Sequence, residues 1–519
     1  MKKIIFFIAF LVEAAILQAQ LYIPFGYDTL FVNNWRVRIN ANNSCFWDMM
    51  GSPKSEIPAG SGVNSIFVGN FWIGGLDSAE NLYVSADRYY GGGNGCFTPG
   101  PFANTYDSAF YAKYNRVWKI NKSDIEYHIN HWNDPGYTMP EAIATWPANG
   151  DTTNGELPIL APFIDVNGNG IYDPQNGDYP RIHGDQAIYY ILNDKNCTDG
   201  SLNPMGIEIH VMYYAFNDTG VLGNTFFVHY DVINLSTNIY HDVYFGLNTD
   251  ADLGNYADDY VGCDSTQNLY FFYNGDNYDD GSTGYGYFPP ALGVLFLNNT
   301  FYSFMSFSNG GGAQSDPTTS QEYYNYMRAI WKDGTHLHFG GDGYSDGPDA
   351  HFMYPVNSGW SEISAGNAPG DRRGVGSVYM GDITHEQCFT VDAAYVWARD
   401  TVDSSAYSSV ELLLQQIPAV TQLYSQMDLD PNCGYLIGIP DNPYFEHEYL
   451  NIYPNPASDI VHLKTNLKNY TISLYSQSGQ KILEEKNIKE LNTSNLSSGF
   501  YLIKITSGTK TAWRKLIVE

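Results

Sequence analysis

LNIYPNPASDIVHL (Leu450–Leu463), ISLYSQSGQKI (Ile472–Ile482) and LNTSNLSSGFYLIKITSGTKTAWRKLIVE (Leu491–Glu519) close the chain, and their reading decides how it is divided. Within them IVHLKT (Ile460–Thr465), YTISLYS (Tyr470–Ser476) and GFYLIKIT (Gly499–Thr506) are short runs rich in β-branched and aromatic residues. In the first two, apolar and polar side chains nearly alternate, the period of a half-buried strand. Pro454-Asn455-Pro456, Ser478-Gly479, Ser497-Ser498-Gly499 and Ser507-Gly508 punctuate the runs. Strands at this spacing predict a small immunoglobulin-like β-sandwich over 446–519. Proline cannot donate to a ladder, so Pro454 and Pro456 belong at a strand end or edge.

Four features of this segment, in order, resemble the type A C-terminal sorting domain of the type IX secretion system of Bacteroidetes. They are Tyr453-Pro454-Asn455-Pro456, the turn around Gly479, the strand entry with Gly499 and Tyr501, and the basic-then-apolar end containing Lys515. The resemblance covers about the last seventh of the chain. It implies contact with the secretion machinery, delivery to the outer-membrane surface or the medium, and removal of the label after export. Met1-Lys2-Lys3 followed by the apolar run Ile4–Val12 reads as a signal peptide over 1–20, despite Glu13. Together the two ends predict passage through the periplasm. No later stretch is apolar for long enough to cross a bilayer as a helix, so no transmembrane segment is expected.

Charge separates the label from what precedes it. The net formal charge is −30; the label holds nine Lys/Arg against five Asp/Glu, and everything before Leu450 holds 17 against 51. An acidic body lacks the basic footprint that nucleic acid requires and favours solubility or cation binding. Tyr, at 43, outnumbers the 26 Lys and Arg, which suits strands as well as recognition surfaces. The six cysteines, at 45, 96, 197, 263, 388 and 433, form no Cys-x-x-Cys pair, so an exported chain uses them as optional disulfides whose connectivity stays open.

Residues 21–445 read as a large β-rich body with a few short helices, divisible near 150–205. SIFVGNFWIGG (Ser65–Gly75) and NLYVSADRYYGGG (Asn81–Gly93) predict strands closed by glycine turns. Ser123 and Glu126 read as a capping box, and Pro140 as a first helical residue. QEYYNYMRAIWKDG predicts a helix over 321–334, and SSVELLLQQIPAVTQLYSQM one over 408–427 that Pro418 should kink or break. Arg372-Arg373 reads as an exposed pair, and Asp428–Glu448 as the linker into the label.

DVNGNGIYDPQNGDYP (Asp165–Pro180) is the most chemically specific stretch. Oxygens recur at Asp165, Asn167, Asn169 and Asp173, Gly170 stands where a calcium loop turns, Ile171 offers a carbonyl, and Asp178 follows. Calcium takes six to eight oxygens, and this alternation supplies them. Asn176 stands where an EF-hand has glutamate, so the loop resembles the shorter loops of extracellular repeats and is expected to hold structural calcium. Asp250, Asp252, Asp258 and Asp259 make a second, weaker cation candidate. GIEIHVMYYAFN (Gly206–Asn217) and NTFFVHYDVIN (Asn224–Asn234) form a hairpin about the Gly220–Val221 bond. That register sets His210 opposite Asp231 and Met212 opposite His229, with Glu208 on the same face. Such a cluster serves metal or acid–base chemistry in some proteins, but the spacing here favours a cross-strand pair on a solvated face. His336 and His338, with Asp342, Asp346, Asp349 and His351, form a third, faint metal candidate.

FWIGG, DVNGNGIYDPQNGDYP, TDADLGNYADDYVGCD and GDRRGVGSV resemble a family of large secreted Bacteroidetes proteins without an assigned activity. No P-loop, nucleophile elbow, HExxH or dinucleotide fingerprint occurs. The expectation is a non-catalytic, calcium-stabilised binding, adhesion or structural module with a glycan or surface partner. The alternative is a secreted hydrolase acting on polysaccharide through carboxylates not separable from the rest.

Overall fold

The computed structural model describes residues 25–89, 95–345, 347–403, 405, 407–427, 450–465, 467–476, 481–497, 499–507 and 510–518. The expected signal peptide, the linker at 428–448, the Gly479 turn, Asp346 and Cys433 lie outside them. By contact the described chain falls into two units, one of residues 25–162 and 180–427, the other of 163–179 and 450–518.

The first unit is mainly β. A nine-stranded and a five-stranded antiparallel sheet share one hydrophobic core. The five-stranded sheet runs Phe301–Phe307, Arg372–Ile383, Tyr240–Ala251, Val68–Asp77, Leu82–Ala86, so its central strand Tyr240–Ala251 pairs with segments far away in sequence on both sides. The larger sheet contains Asp259–Asp264, Leu269–Asn274, Ala291–Phe296, Cys388–Ala398, Thr225–Asn234, Ile207–Ala215 and Gln186–Asn193 in that spatial order. Ala291–Phe296 and Phe301–Phe307, adjacent in sequence, enter different sheets rather than pairing.

Aromatic rings fill the space between the sheets. Phe226 stacks on Tyr395 at 4.7 Å, Phe71 meets Tyr230 at 5.3 Å, and Tyr270 stacks on Phe304 at 5.0 Å. Tyr270 reaches across to give its hydroxyl to the Leu247 carbonyl at 2.9 Å. That reach works because the facing strand has no side chain there. A Cβ on Gly376 would stand 2.6 Å from two ring carbons of Tyr270, and one on Gly374 would stand 2.8 Å from Phe304. The alternating glycines of RRGVGSV are therefore a steric requirement of the core.

Helices are few, as expected, but their ends differ from the sequence reading. Lys122–His131 starts from Asn121, whose side chain makes no cap bond, so Ser123 and Glu126 are not a capping box. The capping box forms instead at Thr319 and Glu322, and that helix, Ser320–Tyr326, stops well before Gly334. Ala329 takes a left-handed backbone at φ 57°, which ends any helical continuation. Pro140 is the cap of Glu141–Ala144 rather than its first residue. Ser408–Gln426 runs through Pro418 as one helix, with Val410, Leu413, Ile417 and Val420 buried; packing of that face outweighs the lost hydrogen bond. Cys45, Cys96, Cys197 and Cys263 carry free thiols, and Cys388 is disulfide-bonded. Among the described residues no helix is long and apolar enough to cross a membrane.

In the second unit the strands Asn451–Tyr453, Ile460–Lys464 and Glu490–Asn492 form one sheet, and Lys481–Lys486, Thr471–Ser476, Gly499–Ser507 and Lys510–Val518 another. Val461, Ile472, Leu474, Ile503, Ile505 and Leu516 are buried in a core of their own.

Substituting Gly376→Val tests the interlock. It should destabilise the body by about 1–3 kcal/mol, the usual cost of forcing volume into a packed core, while Gly311→Val, in open space, should stay within about 0.5 kcal/mol. Denaturant unfolding of the two variants measures both.

Candidate functional site

The loop Asp165–Asp178 runs between two short strands, Phe163–Ile164 and Tyr179–Pro180. Its carboxylates are gathered inward. Asp165 Oδ1 accepts the amide of Gly168 at 2.6 Å, and Oδ2 accepts that of Gly170 at 2.6 Å. Asn167 and Asn169 accept the amides two residues on and turn their side-chain nitrogens to Asp173, at 2.9 and 3.1 Å. Asp178 is fully buried and accepts Val166 N and Asp173 N, each at 2.8 Å. Left-handed Gly168 and Gly170 make these reversals, which only glycine adopts freely. Burial raises Asp178 to about 6, whereas the amide of Asn176 holds Asp173 below its ordinary value. The predicted ligands Asp165, Asn167, Asn169, Asp173 and Asp178 thus share one concave turn, and the Ile171 side chain points to solvent.

The second acidic candidate divides in two. Asp250 lies opposite Arg373 in the pairing of Tyr240–Ala251 with Arg372–Ile383, and the last pair is Ala251 with Arg372. One step further, Asp252 and Asp371 flank the ends of the same two strands. Side chains alternate across a strand, so Asp250, Asp252, Asp371 and Arg373 fall on one face. The three carboxylates each bring an oxygen within 4.8 Å of the others, the one such acidic group among the described residues. Arg373 binds Asp250 at 3.1 Å and Asp371 at 3.4 Å and lies 3.8 Å from Asp316, which Arg88 also meets at 3.2 Å. Tyr89 gives its hydroxyl to Asp250. Burial raises Asp250 to about 6; burial, then repulsion by Asp250 and Asp371, raises Asp252 to about 8. Arg373 is therefore not the exposed residue read from sequence: it is 6% exposed, and Arg372 is held by Glu362 at 2.8 Å.

Asp258 and Asp259 turn toward Asp279 instead. Asp259 accepts Leu253 N at 3.2 Å, Asp279 accepts Asn255 N at 3.0 Å, and Asp258 accepts Asp280 N at 3.0 Å, so these acids brace the turns of this region.

The Gly206–Asn234 hairpin has the expected register: His210 faces Asp231 and Met212 faces His229. The face is buried, however, not solvated. Glu208, His210, His229 and Asp231 are at most 9% exposed. Glu208 holds His210 at 2.6 Å, and His229 stands between Asp231 at 3.2 Å and Asp392 at 2.7 Å, which also accepts Tyr424 at 2.7 Å. The sequence could not show this cover, because Asp392 and Tyr424 come from a third strand and the long helix. Burial opposes charge on His229, but Asp231 and Asp392 outweigh it and raise the imidazole well above its ordinary value. His336 and His338 share Asp349, each at 3.5 Å, at the surface.

In the sorting segment, Asn455 Oδ1 accepts Ile517 N at 2.8 Å and Ala457 N donates to Ile517 O at 2.8 Å, so the Tyr453-Pro454-Asn455-Pro456 block is pinned to the last strand. Tyr501 gives its hydroxyl to Ser497 O at 2.8 Å, at the entry of Gly499–Ser507. Lys515 lies in the last strand, opposite Leu502.

Residues 451–519 match the family model of the secretion system C-terminal sorting domain. The chain is type IX secretion cargo, secreted or displayed at the cell surface. No curated protein matches the chain. A solved structure described as a polysaccharide lyase is 9% identical over 69% of this chain and 39% of its own, at a TM-score of 0.19. That likeness carries no argument, and the chain spans about two fifths of that structure's length.

The buried histidine gives a signed pH dependence. Because the folded pKa of His229 is raised, its stabilisation is full below the unfolded value near 6.5 and is lost as pH climbs through the folded value. The unfolding free energy of the wild type should therefore fall with rising pH above neutrality relative to Asp392→Asn, in which the dependence flattens. Denaturant titrations at a series of pH values read the difference.

Proposed function

We propose that the body is a non-catalytic binding, adhesion or structural module, stabilised by calcium in the Asp165–Asp178 loop and carried through the periplasm to the outer surface. The observation that supports calcium is the convergence of Asp165, Asn167, Asn169, Asp173 and Asp178 on one turn, with an oxygen-only donor set suited to a hard cation. Those oxygens also accept backbone and side-chain amides, which shapes the turn around them.

A surface role is supported by aromatic rings left in solvent. Tyr278 and Tyr287 face each other across a two-stranded ribbon with ring centroids 4.8 Å apart, and both are exposed. A rigid ring with a polar tip offers a sugar face or a protein surface contact area at little conformational cost. A glycan or another surface component is the partner of this reading.

Two measurements test it. Calcium should raise the melting temperature of the chain, and Asp165→Ala should remove the part of that rise owed to this loop; identical responses in wild type and variant would end the calcium assignment. Deleting Leu450–Glu519 should leave the body folded and periplasmic, and its normal appearance outside the cell would refute the routing.

A further inference from the structure

Four carboxylates, Asp250, Asp252, Asp316 and Asp371, crowd one face of the central strand pair, and among the described residues their ion-pair partners are Arg373 and Arg88. With all four ionised the group carries two negative charges in excess. Asp250 is 2% exposed, and while its Oδ2 is engaged by Arg373 and Tyr89, its Oδ1 is buried without a hydrogen-bond partner. Asp371 repeats the pattern: Oδ2 accepts Asn309 at 2.8 Å, and Oδ1 is buried without a partner. Asp316 Oδ1 is a third such atom. The Asp252 carboxylate accepts no hydrogen bond among the described residues, yet it stands within 4.8 Å of both Asp250 and Asp371.

A buried carboxylate oxygen without a hydrogen-bond donor is costly, and it is relieved by a proton or by a cation. The donors here are oxygens alone, with no thiolate or imidazole, which selects a hard ion. An excess of two negative charges matches one divalent ion. We propose that Asp250, Asp252 and Asp371 bind a single hard divalent cation of the calcium and magnesium class. Arg373 positions two of the ligands: it ties Asp250 to Asp371 and leaves one oxygen of each unengaged. The site locks the outer ends of the strands Tyr240–Ala251 and Arg372–Ile383 to each other, and through Tyr89 to the chain that follows Leu82–Ala86. It is independent of the Asp165–Asp178 loop and shares no residue with it.

The experiment is calorimetric titration of the full chain with calcium chloride, then magnesium chloride, alongside thermal melts. It is run in an Asp165→Ala background so that the loop does not contribute. That parent should still take up about one equivalent of one of the two ions and gain melting temperature with it. Adding Asp252→Asn should weaken binding at least tenfold and abolish the gain, while the metal-free protein melts at the same temperature as its parent or higher, since a repelling charge has gone. Asp371→Asn is the second variant and should behave alike, deciding the matter if the first fails to fold. Uptake of neither ion by the Asp165→Ala parent overturns the proposal, as does undiminished uptake by both carboxamide variants. Loss of calcium response at the loop alone would instead show as no difference between wild type and Asp165→Ala, with this site unaffected.

Discussion

The close approach of two sheets through a layer of rings is the constraint from which the rest of the body follows. Tyr270 can lie over Gly376 and bond the Leu247 carbonyl only because that position lacks a side chain. Close packing then extends the ring layer from Phe226 and Tyr395 through Phe71 and Tyr230 to Phe304. With the inner face of Tyr240–Ala251 committed to that layer, its alternate side chains must turn outward. There Tyr244 meets Tyr302, Tyr324 and Tyr379 rather than water. The polar members of that outward row, Asn248 and Asp250, are buried as a result, and Arg373 is drawn in across the pairing to meet them.

An acidic chain that buries this much backbone must place its carboxylates with care, and the structure uses three means. In the Asp165–Asp178 loop, amide hydrogens surround each oxygen, a local solution that needs only turns and glycine. Around His229 the solution is an opposite charge set between two acids. At Asp250 and Asp371 guanidinium serves half of each carboxylate and leaves the other half unserved. The three differ in reach: the first draws on one contiguous segment, the second on three strands and a helix, the third on strands and loops from across the body.

That difference in reach explains what was legible in the sequence. The acids and amides of the Asp165–Asp178 loop lie within one segment, so alternation and glycine marked their convergence. The His210–Asp231 register was legible because a hairpin is symmetric about its turn, and Gly220 marked the turn. The sorting strands showed themselves by period and punctuation. Asp371 was hidden, since it joins Asp250 only through the pairing of Arg372–Ile383 with Tyr240–Ala251, and no local pattern encodes sheet order. Arg372-Arg373 looked exposed because paired arginines usually are; the carboxylates that bury them come from Glu362, Asp250 and Asp316. Helix ends failed where tertiary packing overrode propensity: Ala329 halts one helix in a left-handed conformation, and the buried face of Ser408–Gln426 carries another past Pro418.

The strand order also sets a timetable. Val68–Asp77 pairs on one side with nearby Leu82–Ala86 but gains its second neighbour only once Tyr240–Ala251 exists, and Thr225–Asn234, paired early with Ile207–Ala215, gains its second only with Cys388–Ala398. Such distant pairings make chain closure slow, because loop entropy is lost before contacts repay it. In the tail, Thr471–Ser476 joins Lys481–Lys486, and Gly499–Ser507 joins Lys510–Val518, near neighbours that need no such wait. A ribosome releasing this chain, or a translocon feeding it through, would deliver a body whose sheets cannot close until nearly all of it has emerged, followed by a tail that can assemble in a fraction of the time. The segment that specifies the destination thus emerges last but needs only near-neighbour pairings to assemble once it has.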